Sequence, residues 1–212
     1  MASAAAAAAL LLFFHLLLLL LLPAPSGAQP GFFSLDCGGA HDHADAIGIQ
    51  WTSDASFVTG GQTAQLLAQN GLQSHQFTTV RYFPADNRKY CYTMNVRNRT
   101  RYLVRATFLY GNFDNSNVYP KFDISLGASP WSTIVINDAT TPVVEEAIIL
   151  AAAPTLSVCL SNASTGQPFI STLELRQFNG SLYYTTDEAR FFLALSARIN
   201  FGAESNDSVR YC

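Results

Sequence analysis

Residues Arg101–Gly127 read RYLVRATFLYGNFDNSNVYPKFDISLG. In the first run Tyr102, Val104, Ala106, Phe108 and Tyr110 share one face of an alternating pattern. In the last run Phe122, Ile124 and Leu126 do the same. Period two marks a strand with one buried face. Between the runs lies GNFDNSNVYP, rich in Gly, Asn, Asp, Ser and Pro. Gly and Asn reach left-handed conformations, Asp and Ser bond back to the backbone, and Pro fixes φ. The stretch therefore predicts two strands joined by a long aromatic and amide-rich loop. A rigid scaffold carrying such a loop is a common way to build a binding surface.

The flanking segments extend the same pattern. Upstream, KYCYTMNV (89–96) places Tyr90, Tyr92, Met94 and Val96 on one face, and GFFSLDCGG (31–39) is a short apolar strand ending in two glycines. QFTTVRYF (76–83) alternates weakly. Residues 58–76 carry Gly, Gln and Asn with little pattern and predict a loop with one helical turn through Ala64 to Ala68. Downstream, PWSTIVIN (130–137), VVEEAIIL (143–150) and PTLSVCLSN (154–162) predict strands, and FISTLELRQF (169–178) closes the sheet. Seven or eight short strands with regular turns and almost no helical period predict an all-β jelly roll or β-sandwich.

The ends of the chain differ in character. Residues 4–22 are nearly all Ala, Leu and Phe, followed by Pro23, Pro25 and the small residues Ser26-Gly27-Ala28. This predicts a signal peptide over 1–28 with Gln29 as the new N-terminus. No Lys or Arg precedes Arg81, and the apolar run approaches spanning length, so a retained membrane anchor is the alternative. Cleavage predicts a secreted, extracellular protein; retention predicts the cell surface. Residues 181–212 read as a linker and the incomplete start of a second lobe, because RINFGA (198–203) echoes SLDCGG (34–39).

A net charge of −3 without a basic stripe excludes nucleic acid as a partner. Sequons at Asn98, Asn162, Asn179 and Asn206 predict surface positions and a glycoprotein. An oxidising compartment permits disulfides among Cys37, Cys91, Cys159 and Cys212. Four cysteines allow three pairings. Cys91 and Cys159 lie on the polar faces of their strands and can pair if those strands are neighbours; each can equally be a small buried hydrophobe. Cys37 is a further candidate, and Cys212 is the last residue.

His41 and His43 lie two apart and point the same way on a strand, which suits a shared metal. The sequence offers no third ligand at a supporting spacing, so they read as polar loop histidines and no metal or cofactor is expected. Glycosidase chemistry needs two carboxylates flanking a cleft. Glu145 and Glu146 are adjacent and fall on opposite faces of a strand. No nucleophile elbow, phosphate loop or HExxH occurs, so the chain is expected not to be an enzyme.

GFFSLDCGG, RYFPADNRKYCY, YLVRATFLYGNFD, PKFDISLG followed by Trp131, and VCLSN with GQPFISTLELR occur in this order. The series resembles the plant malectin-like domains found as ectodomain modules of leucine-rich-repeat receptor-like kinases. It covers about Gly31 to Phe178, within a domain drawn at 29–180. The resemblance implies a jelly-roll β-sandwich similar to the carbohydrate-binding protein malectin, which holds its glycan with loop aromatics and an aspartate. By motif position it implies Trp51, Tyr82 and Phe113 as ligand-binding aromatics, and Tyr110 in the same YLVRATFLYGNFD motif is a further candidate. Malectin's aspartate falls in the loop that here reads STGQP, which has no acid. The implied partner is a carbohydrate or glycan; the alternative is a receptor-like kinase ectodomain, in a co-receptor or decoy role without sugar binding. No kinase motif follows, which implies a truncated or soluble relative, and a membrane enters only through the N-terminal run or as part of a longer receptor.

Overall fold

The computed structural model describes residues 31–66, 74–178, 182–197, 199 and 201. The signal-peptide reading, Asn179, Asn206, Cys212 and most of the second-lobe reading lie outside these residues. Fourteen strands occur among them: β1 (Phe32–Asp36), β2 (His43–Ala44), β3 (Gln50–Ser53), β4 (Gln62–Gln65), β5 (Thr79–Tyr82), β6 (Lys89–Asn95), β7 (Arg101–Phe108), β8 (Lys121–Leu126), β9 (Ser129–Val135), β10 (Val143–Leu150), β11 (Thr155–Thr165), β12 (Phe169–Ile170), β13 (Thr172–Gln177) and β14 (Leu193–Ala194). They form a jelly-roll β-sandwich. One sheet has seven strands in the order β14-β10-β7-β13-β1-β3-β2, a second has β6-β11-β8-β9, and a third has β12-β5-β4.

The two runs of the 101–127 stretch are strands, as their alternation predicts, but they do not pair. β7 is central in the seven-stranded sheet and β8 lies in the four-stranded one. Residues 109–120 carry the chain between layers. The reason lies in the inner faces. Val104, Ala106 and Phe108 of β7 and Phe122 and Ile124 of β8 all enter one core. There the Phe108 and Phe122 rings meet edge to face at 5.4 Å, the geometry the ring quadrupole favours.

The outer face of β7 is largely covered too, and it carries the partly buried Arg105. Arg105 stands opposite Glu146 of β10 and Glu174 of β13. Its Nε donates to Glu146 Oε1 at 2.6 Å, and Arg176 Nη2 donates to Glu174 Oε2 at 2.7 Å. Buried carboxylates persist where a cation and hydrogen bonds accompany them. Glu145 instead accepts from Ser132 at 3.1 Å. The adjacent glutamates therefore serve two different neighbours.

Two local readings are corrected. The helical turn through Ala64 to Ala68 is absent over Ala64–Gln65, which belong to β4 and pair with Val80 and Thr79 of β5; these ladder bonds override the weak helical pattern. The 169–178 run does not close a sheet as one strand. It breaks at Ser171 into β12 and β13, and β13 lies between β7 and β1. Five of its six residues are buried, which an edge strand would not allow. Ser171 Oγ accepts from Leu109 N at 2.9 Å at the break. The edge position is taken by β14, paired to Ala147 and Ile148 of β10. Among the described residues no helix is long and apolar enough to cross a membrane.

Cys91 and Cys159 stand opposite each other in the β6–β11 register and are joined by a disulfide. Cys37 is corrected as a disulfide candidate: it is a free, fully buried thiol. Burial, with Asp54 nearby, pushes that thiol well up from its ordinary value. It is a small core hydrophobe rather than a crosslink.

Candidate functional site

Three of the four sequence-predicted aromatics converge. Tyr82 ends β5, Tyr110 follows β7, and Phe113 opens the loop beyond it. The Tyr82 and Phe113 rings lie 5.0 Å apart and tilted by 35°. Tyr110 meets Phe113 edge-on at 5.6 Å and Tyr119 edge-on at 6.0 Å. Phe169 of β12 backs Phe113 at 5.3 Å. Tyr82 stands opposite both Gln62 and Phe169 in its sheet, so the strands themselves place it against the loop.

The five rings have different exposures. Tyr110 and Phe169 are fully buried, Tyr82 and Phe113 are half-buried, and Tyr119 is 47% exposed. Tyr110 and Phe169 therefore anchor the group, and Tyr82, Phe113 and Tyr119 supply its surface. Beside them the Tyr82 hydroxyl donates to Gln62 Oε1 at 2.6 Å, which fixes an amide at the rim.

The loop is held in one shape by its own side chains. The Tyr110 hydroxyl donates to Asp114 Oδ1 at 2.6 Å, with Asn112 Oδ1 at 3.1 Å and Ser116 Oγ at 3.2 Å around it. Asn112 Nδ2 donates to Asn117 Oδ1 at 3.0 Å, and Asn117 N donates back to Asn112 Oδ1 at 3.0 Å. Asn112, Asn115 and Asn117 all have positive φ, which Asn tolerates better than other side chains. Gly111, at φ +51°, packs so closely on Leu66 that a Cβ would lie 2.9 Å from a leucine methyl. Burial, then the bond to Asp114, pushes the Tyr110 phenol up to about 12.

Asp114 is the residue the sequence reading overlooked. It is a carboxylate inside the aromatic loop, where the STGQP loop has none. Its signal was present as Asp four residues after Tyr110, but only the fold shows that the phenol reaches it.

Trp51 does not join this group. It is 1% exposed on β3, stands opposite His43, and donates its indole N–H to Asp45 Oδ2 at 3.0 Å. Asp45 also accepts from Ile47 N and Ile49 N. Trp51 therefore clamps a turn, and its ring offers no surface to a ligand.

Under β5 lies a second polar cluster with a structural task. Asp54 is fully buried and accepts from Arg81 Nε and Nη2 at 2.6 and 2.7 Å, from Tyr92 Oη at 2.7 Å and from Gly38 N at 3.1 Å. The bidentate pair raises the Arg81 guanidinium further above its ordinary value and ties the turn 54–56 to β5 and β6. Of the sequons, Asn98 is exposed in the β6–β7 turn. Asn162 is half-buried in β11, with its Oδ1 enclosed and without a hydrogen-bond partner among the described residues. A small hollow between β10 and the 183–193 segment, lined by Arg101, Ile148 and Glu188 among others, has room for little more than a water.

Residues 35–212 match the malectin-like domain family. A probable leucine-rich-repeat receptor-like serine/threonine-protein kinase of Arabidopsis thaliana is 43% identical over 181 residues, covering 85% of this chain and 19% of that protein. A second such kinase of the same plant is 40% identical over 163 residues, covering 74% of this chain and 18% of its own length. The chain thus spans about a fifth of these relatives. Among solved structures, the plant receptor-like kinase FER superposes with a TM-score of 0.60 at 21% identity over 73% of this chain and 44% of its own. The ANX1 ectodomain of Arabidopsis thaliana superposes at 0.59 and 21%, over 69% and 41%. A complex of the plant peptide RALF23 with FER and LLG2 contains a chain matching at 0.57 and 21%, over 75% and 43%. The likeness to the solved structures is one of fold, and the closer identity to the two kinases covers most of this chain: it belongs to the malectin-like domain family.

Proposed function

We propose that this chain is a non-catalytic extracellular binding module that recognises cell-wall carbohydrate or glycan through Tyr82, Phe113 and Tyr119. The observation that carries the reading is the Tyr82–Phe113 pair, half-exposed beside a loop pre-formed by Tyr110. The C–H face of a sugar packs on aromatic rings, and the amides of Gln62, Asn115 and Asn117 around them can exchange hydrogen bonds with hydroxyls. A loop already ordered costs less to order on binding. Glu146 is committed to Arg105, which argues against a role as a catalytic carboxylate. The kinase relatives and the exposed sequon at Asn98 support a cell-surface or secreted location.

A peptide or receptor-ectodomain partner is the second reading. It is favoured by exposed Val118 and Tyr119 on the same loop and by the RALF23 complex of the structural neighbour FER. A glycan array with plant wall polysaccharides, run beside a panel of secreted plant peptides, separates the two. Saturable glycan binding lost in Phe113→Ala supports the first reading. Peptide binding with no glycan signal overturns it in favour of the second.

A further inference from the structure

We infer that Asp36, His43 and His75 form a binding site for a divalent first-row transition-metal ion of the Zn²⁺ type. The three come from the end of β1, from β2 and from the 3₁₀ turn His75–Phe77. One ligand atom from each lies within 4.8 Å of the other two. Asp36 Oδ2 stands 3.7 Å from His43 Nδ1 and 3.6 Å from His75 Nδ1. Ligands held tetrahedrally at zinc bond lengths lie about 3.4 Å from one another. The observed spacings are close to that and too long for hydrogen bonds.

Among the described residues, Asp36 Oδ2 and the His43 nitrogens are not engaged in hydrogen bonds. Asp36 is fully buried, and its Oδ2 and both ring nitrogens of His43 are enclosed without a hydrogen-bond partner among the described residues. Unpartnered buried polar atoms are rare and call for an explanation such as an ion. The second carboxylate oxygen is already engaged: Thr79 Oγ1 donates to Asp36 Oδ1 at 3.2 Å, which turns Oδ2 toward the imidazoles as outer partners of metal ligands do. Gly39 leaves the space, since a Cβ there would lie 2.5 Å from Asp36 Oδ2.

The donor set selects the ion. Two imidazoles and one carboxylate suit Zn²⁺ and its neighbours, whereas Mg²⁺ and Ca²⁺ prefer oxygen throughout. The His75 side chain is 62% exposed, so a fourth position opens to solvent, as where three protein ligands leave one place for water. His41, two residues from His43, is exposed and outside the cluster. The ion would tie the β1 end, β2 and the turn ahead of β5 together.

The test uses the full chain without a histidine tag, stripped with chelator and titrated with Zn²⁺ by calorimetry and with Co²⁺ by visible absorption. One ion per chain is expected, with a thermal midpoint raised by about 5 °C at saturation. His75→Gln, at an exposed position that should not disturb folding, and His43→Gln should each weaken binding at least about tenfold. His41→Gln should leave it unchanged. Absence of saturable binding below about 1 mM ion, or binding unchanged in His75→Gln, would overturn the inference and leave the cluster as a carboxylate beside two histidines.

Discussion

Tyr110 donates its phenolic hydrogen to Asp114 Oδ1 at 2.6 Å, so the last inward ring after β7 holds the loop that follows it. Core and proposed binding surface thus share one side chain. Tyr110→Phe keeps the ring and removes the bond. It is expected to lower stability by about 1–2 kcal/mol, seen as a lower urea midpoint, and to weaken ligand binding without removing Tyr82 or Phe113.

Burial, together with the same bond, sets an alkaline limit. The folded phenol is pushed up to about 12, above the usual value near 10. A raised pKa means that the folded state favours the protonated phenol. That stabilisation is complete below about pH 10 and is lost as pH rises through about 12. Tyrosinate absorbance should show one phenol fewer in this late range in Tyr110→Phe than in the unmodified chain.

The Cys91–Cys159 bridge closes a 68-residue separation. In the chain-entropy account such a loop contributes ~4 kcal/mol. The double Cys91→Ala, Cys159→Ala variant should unfold at clearly lower temperature. Cys37, fully buried, should resist alkylation until the fold is lost; a thermal melt checks the first expectation and peptide mapping the second.

Asp54 and Arg81 form a buried, bidentate pair joined by Tyr92. Removing one partner strands the other. Asp54→Asn is expected to cost about 3–5 kcal/mol, measured by denaturant unfolding.

Much of the fold was legible because alternation reports burial directly. Tyr102 to Phe108 and Phe122 to Leu126 read correctly as strands. Their assignment to different sheets was not legible, since period two says which face is buried but not against which partner. The break at Ser171 was hidden for the same reason: both sides of it are apolar. At the candidate site, Tyr82, Tyr110 and Phe113, singled out by motif position, lie together in the fold. Trp51 lies apart from them, buried, and an aromatic type alone does not reveal that its indole N–H is satisfied by Asp45. His43 stands beside His41 in the sequence, while its spatial neighbours Asp36 and His75 come from other segments that only the sheet topology brings near.

The most direct measurement compares ligand affinity in Tyr82→Ala, Phe113→Ala and Trp51→Phe, using a glycan found by array. The proposed site predicts a loss of about tenfold or more, about 1.4 kcal/mol, for each of the first two. Trp51→Phe should lower stability and leave affinity unchanged. Full affinity in the Tyr82 and Phe113 variants, with loss in Trp51→Phe, would contradict it and move the site away from the loop.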